Sequence, residues 1–168
     1  IKKDPLQLRL SMLENRPDFK TGDTPGAMLQ SPSRIAGVLK KVAEKIGWSL
    51  PRKPNHYIGL ATHSFIFAKS YAAHAIEIEV LAPKKFSIKR VVAAIDCGIV
   101  INPDGLLNQM EGGLAFALTQ ALKGEITVVN SRVVEDGFFS YELLRYDEMP
   151  PVEIFIIDSK EEPGGVGE

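Results

Sequence analysis

A carboxylate at the end of a glycine-rich stretch is the first feature of this sequence that suggests chemistry. The last six residues are "PGGVGE", in which Gly164, Gly165 and Gly167 lead to Glu168. Glycines let a backbone run against a flat ligand or present N–H groups to an anion. A carboxylate held there away from water is suited to general-base catalysis. A flexible tail ending in a solvated acid explains the same six residues, so both interpretations remain open at this point.

A second candidate lies in the stretch "LLNQMEGGLAFAL". Its pattern predicts a helix, in which Gly112 and Gly113 each cost about 1 kcal/mol relative to alanine. Gln109 precedes them by three and four residues, so its amide lies on roughly the same helix face and can donate and accept hydrogen bonds. Close approach of a ligand would offset the cost of the glycines. The alternative is tight packing of the helix on a sheet, with Gln109 facing solvent.

The histidines and the single cysteine suggest structural roles. His56, His63 and His74 are seven and eleven residues apart, without a further ligand at a close, recurrent spacing. We therefore expect them to form hydrogen bonds and assign no metal ligand in this chain. Cys97 has no basic neighbour in sequence that would lower the pKa of its thiol, and it is expected to be buried. The chain contains neither a phosphate-loop nor a dinucleotide-binding motif.

The N-terminal part of the chain is predicted to be helical. Residues 4–14 read as a helix capped by Asp4, with a proline in its first turn. A turn-rich stretch follows. A second helix is expected to begin after Ser31 or Ser33 and to end at Gly47, with its apolar residues on one face.

The rest of the chain alternates strands and one long helix. Three runs are β-prone, namely 57–68, 72–83 and 86–98, and the economical topology is an antiparallel meander. A helix with Asn102 as cap and Gly124 as stop follows. A hairpin turning at Asn130 and Ser131, and a strand in "PPVEIFIID", complete the pattern. The helix should bury one apolar stripe, composed of Leu106, Met110, Leu114, Ala117, Leu118 and Ala121. The fold class is therefore α+β, with two N-terminal helices followed by a mixed, mainly antiparallel sheet and a long packed helix.

Composition limits the possible functions. The 168 residues carry 20 Lys and Arg against 21 Asp and Glu, so the net charge of -1 gives no reason to expect a nucleic acid or an anionic membrane as partner. One cysteine excludes an intrachain disulfide. No stretch approaches the roughly 18 apolar residues of a membrane span. The start at Ile1 and the abrupt glycine-rich finish lead us to expect a piece of something longer.

Three stretches, taken in order, resemble a known family. They are "RVVAAIDCGIVINPDGLLNQMEGGLAFALTQALKGEIT", "YELLRYDEMPPVEIFIIDS" and "PGGVGE". Together they resemble the C-terminal part of the molybdenum-binding subunit of the xanthine dehydrogenase and aldehyde oxidase family, and within it the isoquinoline oxidoreductase beta-subunit branch. The resemblance extends to "RIAGVLKKVAEKIGW" and "KKDPLQLRLSMLE". It is most specific from residue 90 to residue 168.

This resemblance implies a cofactor and a set of site residues. The cofactor is molybdenum held by a pterin dithiolene (molybdopterin), in bacteria commonly in the cytosine dinucleotide form. Gln109 would lie against the pterin and the metal ligands, and Glu168 would be the general base. Glycines would let the backbone pass close to the cofactor at Gly112, Gly113, Gly165 and Gly167. The family's earlier cofactor-binding segments are absent from this chain, so the site would be shared with them.

The resemblance also implies an activity and partners. The enzyme would hydroxylate an N-heterocycle or oxidise an aldehyde with oxygen derived from water. Electrons would leave through iron–sulfur clusters, which one cysteine cannot hold. The expected partners are therefore the remainder of the large subunit and a small subunit with 2Fe-2S clusters. Residues 1–55 would be a helical connecting segment, and residues 56–168 the truncated C-terminal part of the molybdopterin-binding domain.

A non-catalytic folding or interaction module that keeps the fold without the cofactor is the alternative. It is motivated by the missing cofactor segments and by the ends of the chain. The sequence names no particular substrate. It leaves the compartment open between the cytoplasm, which is slightly favoured, and the periplasm.

Overall fold

The computed structural model describes residues 3–22, 29–65 and 67–167 of the chain. Glu168, the predicted base, lies outside the described residues. In chain order the elements are α1 (Pro5–Leu13), β1 (Phe19–Lys20), β2 (Leu29–Gln30), α2 (Pro32–Ile46), β3 (His56–Phe65), β4 (Ser70–Ala82), β5 (Lys85–Asp96), α3 (Pro103–Leu122), β6 (Val128–Val129), β7 (Arg132–Val133), a 3-10 helix (Tyr146–Glu148) and β8 (Val152–Ile156).

Both N-terminal helices begin and end close to where the sequence predicts. The side chain of Asp4 caps α1 by accepting a hydrogen bond from the backbone N–H of Gln7 at 2.9 Å. Ser31 occupies the N-cap position of α2, but its hydroxyl donates to Asp18 instead of capping the helix. Gly47 ends α2 in the left-handed conformation, with φ of 71°.

The main sheet has four strands in the order β3-β4-β5-β8. Strands β3, β4 and β5 form the predicted antiparallel meander, and β8 adds to β5 in parallel. The sheet is therefore mixed and mainly antiparallel. Strand β3 ends at Phe65, three residues earlier than the predicted run, because the chain turns through 67–69 before β4 begins.

The core of this part of the chain lies between α2 and one face of the sheet. Alternate residues of β4 and β5 point toward the helix, as expected from the period of two in a strand. The fully covered side chains at its centre are Val38, Leu39, Val42, Ala73, Ala75, Val92 and Ala94. This packing fixes the carboxyl end of β5 relative to α2.

The chain divides into two compact units. One comprises the residues up to 103 together with 150–167, and the other comprises 104–149. The predicted division of the chain after residue 55 stays a prediction. None of the helices in the described part of the chain is long and apolar enough to cross a membrane.

The second unit contains most of α3 and the short hairpin β6–β7. Asn130 and Ser131 form the hairpin turn with positive φ values of 49° and 62°, as the sequence predicts. After the helix, Lys123 donates hydrogen bonds to Glu142 and Glu148, each at 2.6 Å. These two carboxylates tie the following loop to the end of α3.

The predicted apolar stripe of α3 is right in part. Leu106, Leu114 and Leu118 are buried, whereas Ala117 and Ala121 are exposed. Helical spacing predicts which residues share a face of α3, but it does not predict which of them other residues cover. The α+β class, with two leading helices and a mixed sheet, is confirmed.

Candidate functional site

The glycine-rich C-terminal stretch follows β8, and β8 determines where it runs. Because β5 and β8 are parallel neighbours, their carboxyl ends lie at the same edge of the sheet. The N–H of Ile157 donates to the carbonyl of Ile95 at 2.8 Å and extends this pairing by one residue. The segment after β8 therefore runs beside the turn that follows β5.

Hydrogen bonds hold the glycine stretch on two sides. The N–H of Gly164 donates to the carbonyl of Cys97 at 2.7 Å, and that of Gly165 donates to the carbonyl of Ala68 at 2.8 Å. The hydroxyl of Ser70 donates to the carbonyl of Gly165. A flexible tail is therefore the wrong interpretation up to Gly165. The two N–H groups are also already used, so they do not form an anion site.

Close backbone contacts explain the glycines in this region. A Cβ atom at Gly164 would stand 2.4 Å from the carbonyl oxygen of Ala68 and 2.9 Å from the hydroxyl of Ser70. At Gly165 it would stand 3.1 Å from the Cβ of Ala68. Only a residue without a side chain fits at the first position, and the second is tight.

The turn after β5 is equally close to residues 161–165, here called the loop. Gly98 has φ of 73°, and a Cβ atom on it would stand 2.1 Å from the carbonyl oxygen of Glu162. The N–H of Ile99 donates to the carbonyl of Glu161 at 3.0 Å. The backbone of the loop therefore lies directly on the turn at Gly98.

An exposed ion pair also joins the loop to the β3–β4 turn. The Nζ atom of Lys69 lies 2.5 Å from a carboxylate oxygen of Glu162, and this hydrogen bond lowers the pKa of Glu162. Both side chains are more than half exposed. Solvent screens such pairs, so the backbone bonds and the steric fit carry more of the loop's order.

A buried ion pair lies beneath the same turn. The guanidinium of Arg34, on α2, binds both carboxylate oxygens of Asp96 at 2.9 and 2.6 Å. The side chains are 13% and 5% exposed, so this pair is among the more strongly desolvated charges of the described residues. Burial alone would raise the pKa of Asp96, but hydrogen bonds from Arg34 and from the N–H of Gly98 outweigh it and lower that pKa.

The depressed pKa of Asp96 makes stability depend on pH. A carboxylate whose pKa is lower in the folded state stabilises that state above its unfolded pKa, here near the ordinary 3.8, and loses this contribution as pH falls through the folded value. We expect Asp96→Asn to lower the free energy of unfolding at neutral pH by about 3 to 5 kcal/mol, because Arg34 loses its charged partner. This difference should narrow below pH 3.8. Urea unfolding of both proteins across the pH range measures it, and a constant difference would contradict the assignment.

Gln109, Gly112 and Gly113 form a separate candidate surface in the second unit. All three are exposed and lie on one face of α3. Within the described residues, nothing lies within 4 Å of a Cβ atom built at either glycine. The glycines therefore do not serve close packing between the described elements, and they leave bare backbone beside the amide of Gln109.

The other predicted site residues have the following places. Gly165 and Gly167 belong to the unit that contains the sheet, and both are exposed. Glu168 lies outside the described residues, so its position relative to any of them stays a prediction. Sequence reasoning missed Arg34, Asp96 and Ser70. A glycine directly after a buried strand, in "IDCG", was the available signal for the turn at Gly98.

His56 and His74 are partly buried, whereas His63 is exposed. The Nδ1 atom of His56 lies 2.8 Å from a carboxylate oxygen of Glu77, and burial lowers the pKa of His74. Cys97 is buried, and its burial raises the pKa of the thiol. Within the part of the chain that the structure describes, no three His, Cys, Asp or Glu side chains are grouped as metal ligands.

The described residues thus include an exposed amide beside two glycines on α3, and a glycine-rich segment fixed at one edge of the sheet. Residues 47–150 match the family model of the molybdopterin cofactor-binding domain, which is more than half of the chain. The chain belongs to that family.

Curated relatives agree with the family. The chain is 29% identical, over 99% of its length, to the membrane-bound aldehyde dehydrogenase [pyrroloquinoline-quinone] of Gluconacetobacter polyoxogenes. It is 30% identical, over 84% of its length, to the isoquinoline 1-oxidoreductase subunit beta of Brevundimonas diminuta. It spans about a fifth of these relatives, 22% of the first and 18% of the second.

A solved structure supports the fold. The chain superimposes on the reconstituted CO dehydrogenase from Oligotropha carboxidovorans with a TM-score of 0.53 at 25% identity. The aligned region covers 58% of this chain and 13% of the CO dehydrogenase chain. The family match and the relatives together confirm the resemblance to the molybdenum-binding subunit of the xanthine dehydrogenase and aldehyde oxidase family.

Proposed function

We propose that this chain forms part of a molybdenum-dependent oxidoreductase that hydroxylates an N-heterocycle or oxidises an aldehyde with oxygen derived from water. The family match over residues 47–150 is the observation that carries this proposal. The names of the two curated relatives, an isoquinoline oxidoreductase and an aldehyde dehydrogenase, favour these two substrate classes.

The residues on α3 fit a pterin. A pterin is a flat ring system whose edges both donate and accept hydrogen bonds, and Gln109 offers an exposed amide that does the same. Gly112 and Gly113 leave open space on the same helix face, where a ring can lie against backbone. Gln109 would therefore hold the cofactor's edge, and the glycine pair would accept its flat side.

The glycine loop would take part through its shape. The N–H groups of Gly164 and Gly165 already donate within the protein, so they would not bind the cofactor. Gly165 and Gly167 would instead let the backbone of the loop pass close to the cofactor. When bound, the molybdenum cofactor supplies two-electron redox chemistry. The chain's own contribution is Glu168, a carboxylate that would accept a proton as the substrate is oxidised.

Electron transfer requires a partner. A 2Fe-2S cluster takes four cysteine ligands as a rule, and this chain has one, which is buried. We therefore include a small subunit with 2Fe-2S clusters, and the remainder of the large subunit, in the proposal. The cytosine dinucleotide form of the cofactor is also proposed, and release of cytidine monophosphate on acid hydrolysis of the purified protein is its test.

Isotope labelling tests the proposed activity. The full-length protein with its partner, given an N-heterocycle and an artificial electron acceptor in water enriched in ¹⁸O, should form a hydroxylated product that carries the heavy isotope. An N-heterocycle is preferable because aldehydes exchange oxygen with water without an enzyme. Incorporation from ¹⁸O-labelled dioxygen instead would contradict the proposal.

A further inference from the structure

The ion pair between Arg34 and Asp96 fixes the carboxyl end of β5 to α2. Two guanidinium nitrogens of Arg34 bind the two carboxylate oxygens, and this bidentate arrangement leaves the carboxylate a single orientation. The guanidinium also lies over the ring of Tyr71, with its central carbon 4.4 Å from the ring centre. Tyr71 is 3% exposed and belongs to the core. The guanidinium is therefore fixed by the carboxylate of Asp96 at its edge and by the ring of Tyr71 against its face.

The oriented carboxylate in turn fixes the conformation of Gly98. The Oδ1 atom of Asp96, which Arg34 binds, also accepts a hydrogen bond from the N–H of Gly98 at 3.1 Å. Gly98 adopts the left-handed conformation, which a glycine does without steric cost. The turn from 96 to 98 is therefore held by the same side chain that anchors it to the helix.

The turn supports the loop of residues 161–165 by backbone contacts on both sides of Gly98. The carbonyl of Cys97 accepts from Gly164, and the N–H of Ile99 donates to Glu161. Between these bonds, the carbonyl of Glu162 occupies the space where any side chain on Gly98 would stand. A rotation of this turn would break both bonds at once.

We propose that Arg34, Asp96 and Gly98 are positioning residues that hold the loop of residues 161–165 in place beside the turn after β5. Only its expected effect on kcat rests on the proposed function, through the role of Glu168, which follows the loop by three residues. Arg34 and Asp96 are 62 positions apart in the sequence. No role in binding or chemistry that the family resemblance implies falls on either of them.

Hydrogen exchange of the full-length protein tests the proposal without relying on activity. In Arg34→Met, amide exchange in residues 161–165 should be about tenfold or more faster, since loss of the support opens the loop locally. Arg34→Lys keeps the charge but not the two-pronged geometry, so its exchange should fall in between. The control is Val42→Ala, which weakens the core at a fully buried site away from the loop. Exchange in β3 reports the loss of global stability in each variant, and exchange in residues 161–165 should exceed it only in Arg34→Met.

Gly98→Ala provides a second variant that leaves the ion pair intact. Its added methyl group meets the carbonyl of Glu162, so the loop should again exchange faster than in Val42→Ala. The cofactor-loaded variants should lose kcat about 10- to 100-fold, with KM changed less than about twofold, because the loop's geometry and not substrate binding is altered.

The outcomes distinguish the positioning of the loop from the proposed role of Glu168 as base. Loop exchange equal to that of Val42→Ala in both Arg34→Met and Gly98→Ala overturns the positioning role, whatever happens to activity. Faster loop exchange supports it. If the loop exchanges faster while kcat remains at the wild-type value, the positioning of the loop stands, and the role of Glu168 as base is decided separately by Glu168→Gln.

Discussion

Replacing Glu168 by glutamine is expected to lower kcat of the full-length, molybdenum-loaded protein by about 10²- to 10⁴-fold, the usual contribution of general-base catalysis. Glutamine has nearly the same shape as glutamate but does not take up a proton at neutral pH. Substrate binding and cofactor content should therefore change little. Steady-state kinetics with an N-heterocycle or an aldehyde, together with metal analysis of the same preparation, measure both quantities.

Glu125→Gln is the matched control, because it removes an exposed carboxylate outside the proposed site. Its kcat should equal that of the wild type. The rate of the wild type should also fall in acid as the base becomes protonated, whereas the residual rate of Glu168→Gln should lack that dependence. A Glu168→Gln protein that is loaded with molybdenum and fully active would contradict the assignment.

The second large effect is expected from Gly164→Ala. A methyl group at this position would stand 2.4 Å from the carbonyl oxygen of Ala68, a distance at which the loop or the β3–β4 turn must move. Movement of the loop breaks the bond from Gly164 to Cys97 and displaces the chain that leads to Glu168. Because a displacement of about 1 Å costs about 100-fold in rate, we expect kcat to fall by that order.

Gly37→Ala provides the comparison. Gly37 lies within α2, and nothing in the described residues stands within 4 Å of its added Cβ atom. Alanine in a helix is favoured over glycine by about 0.5 to 1 kcal/mol, so this variant should be as active and at least as stable as the wild type. Thermal unfolding and kinetics of both variants test the pair. Equal activity in Gly164→Ala and Gly37→Ala would show that the close contact at Gly164 is unimportant for the rate.

The helices were predictable because their signals are local. A cap at Asp4, a left-handed glycine at Gly47 and apolar residues at helical spacing determine the bounds of α1 and α2 without reference to the rest of the chain. The end of β3 was not predictable in the same way. The turn after it contains Lys69 with φ of 54°, and a lysine gives no sequence signal for that conformation.

Contacts between residues far apart in the sequence were harder to predict than the helices. The strand in "PPVEIFIID" was evident from its residues, but only the structure shows that it pairs in parallel with β5. The pair Arg34 and Asp96 could not be predicted from the sequence, because charged residues are mostly exposed and nothing local marks a partner 62 positions away. Gln109, Gly112 and Gly113 could be predicted as a candidate site, because glycines are unfavourable inside a helix.

Molybdenum analysis of the full-length protein, purified with its partner subunit, tests the central claim most directly. We expect close to one molybdenum atom for each copy of this chain, and a large reduction in Gln109→Ala, which loses the amide that would hold the cofactor. One relative is named for a different cofactor, pyrroloquinoline-quinone. The molybdenum content therefore also distinguishes between these two cofactors. An active enzyme that contains pyrroloquinoline-quinone and no molybdenum would contradict the account.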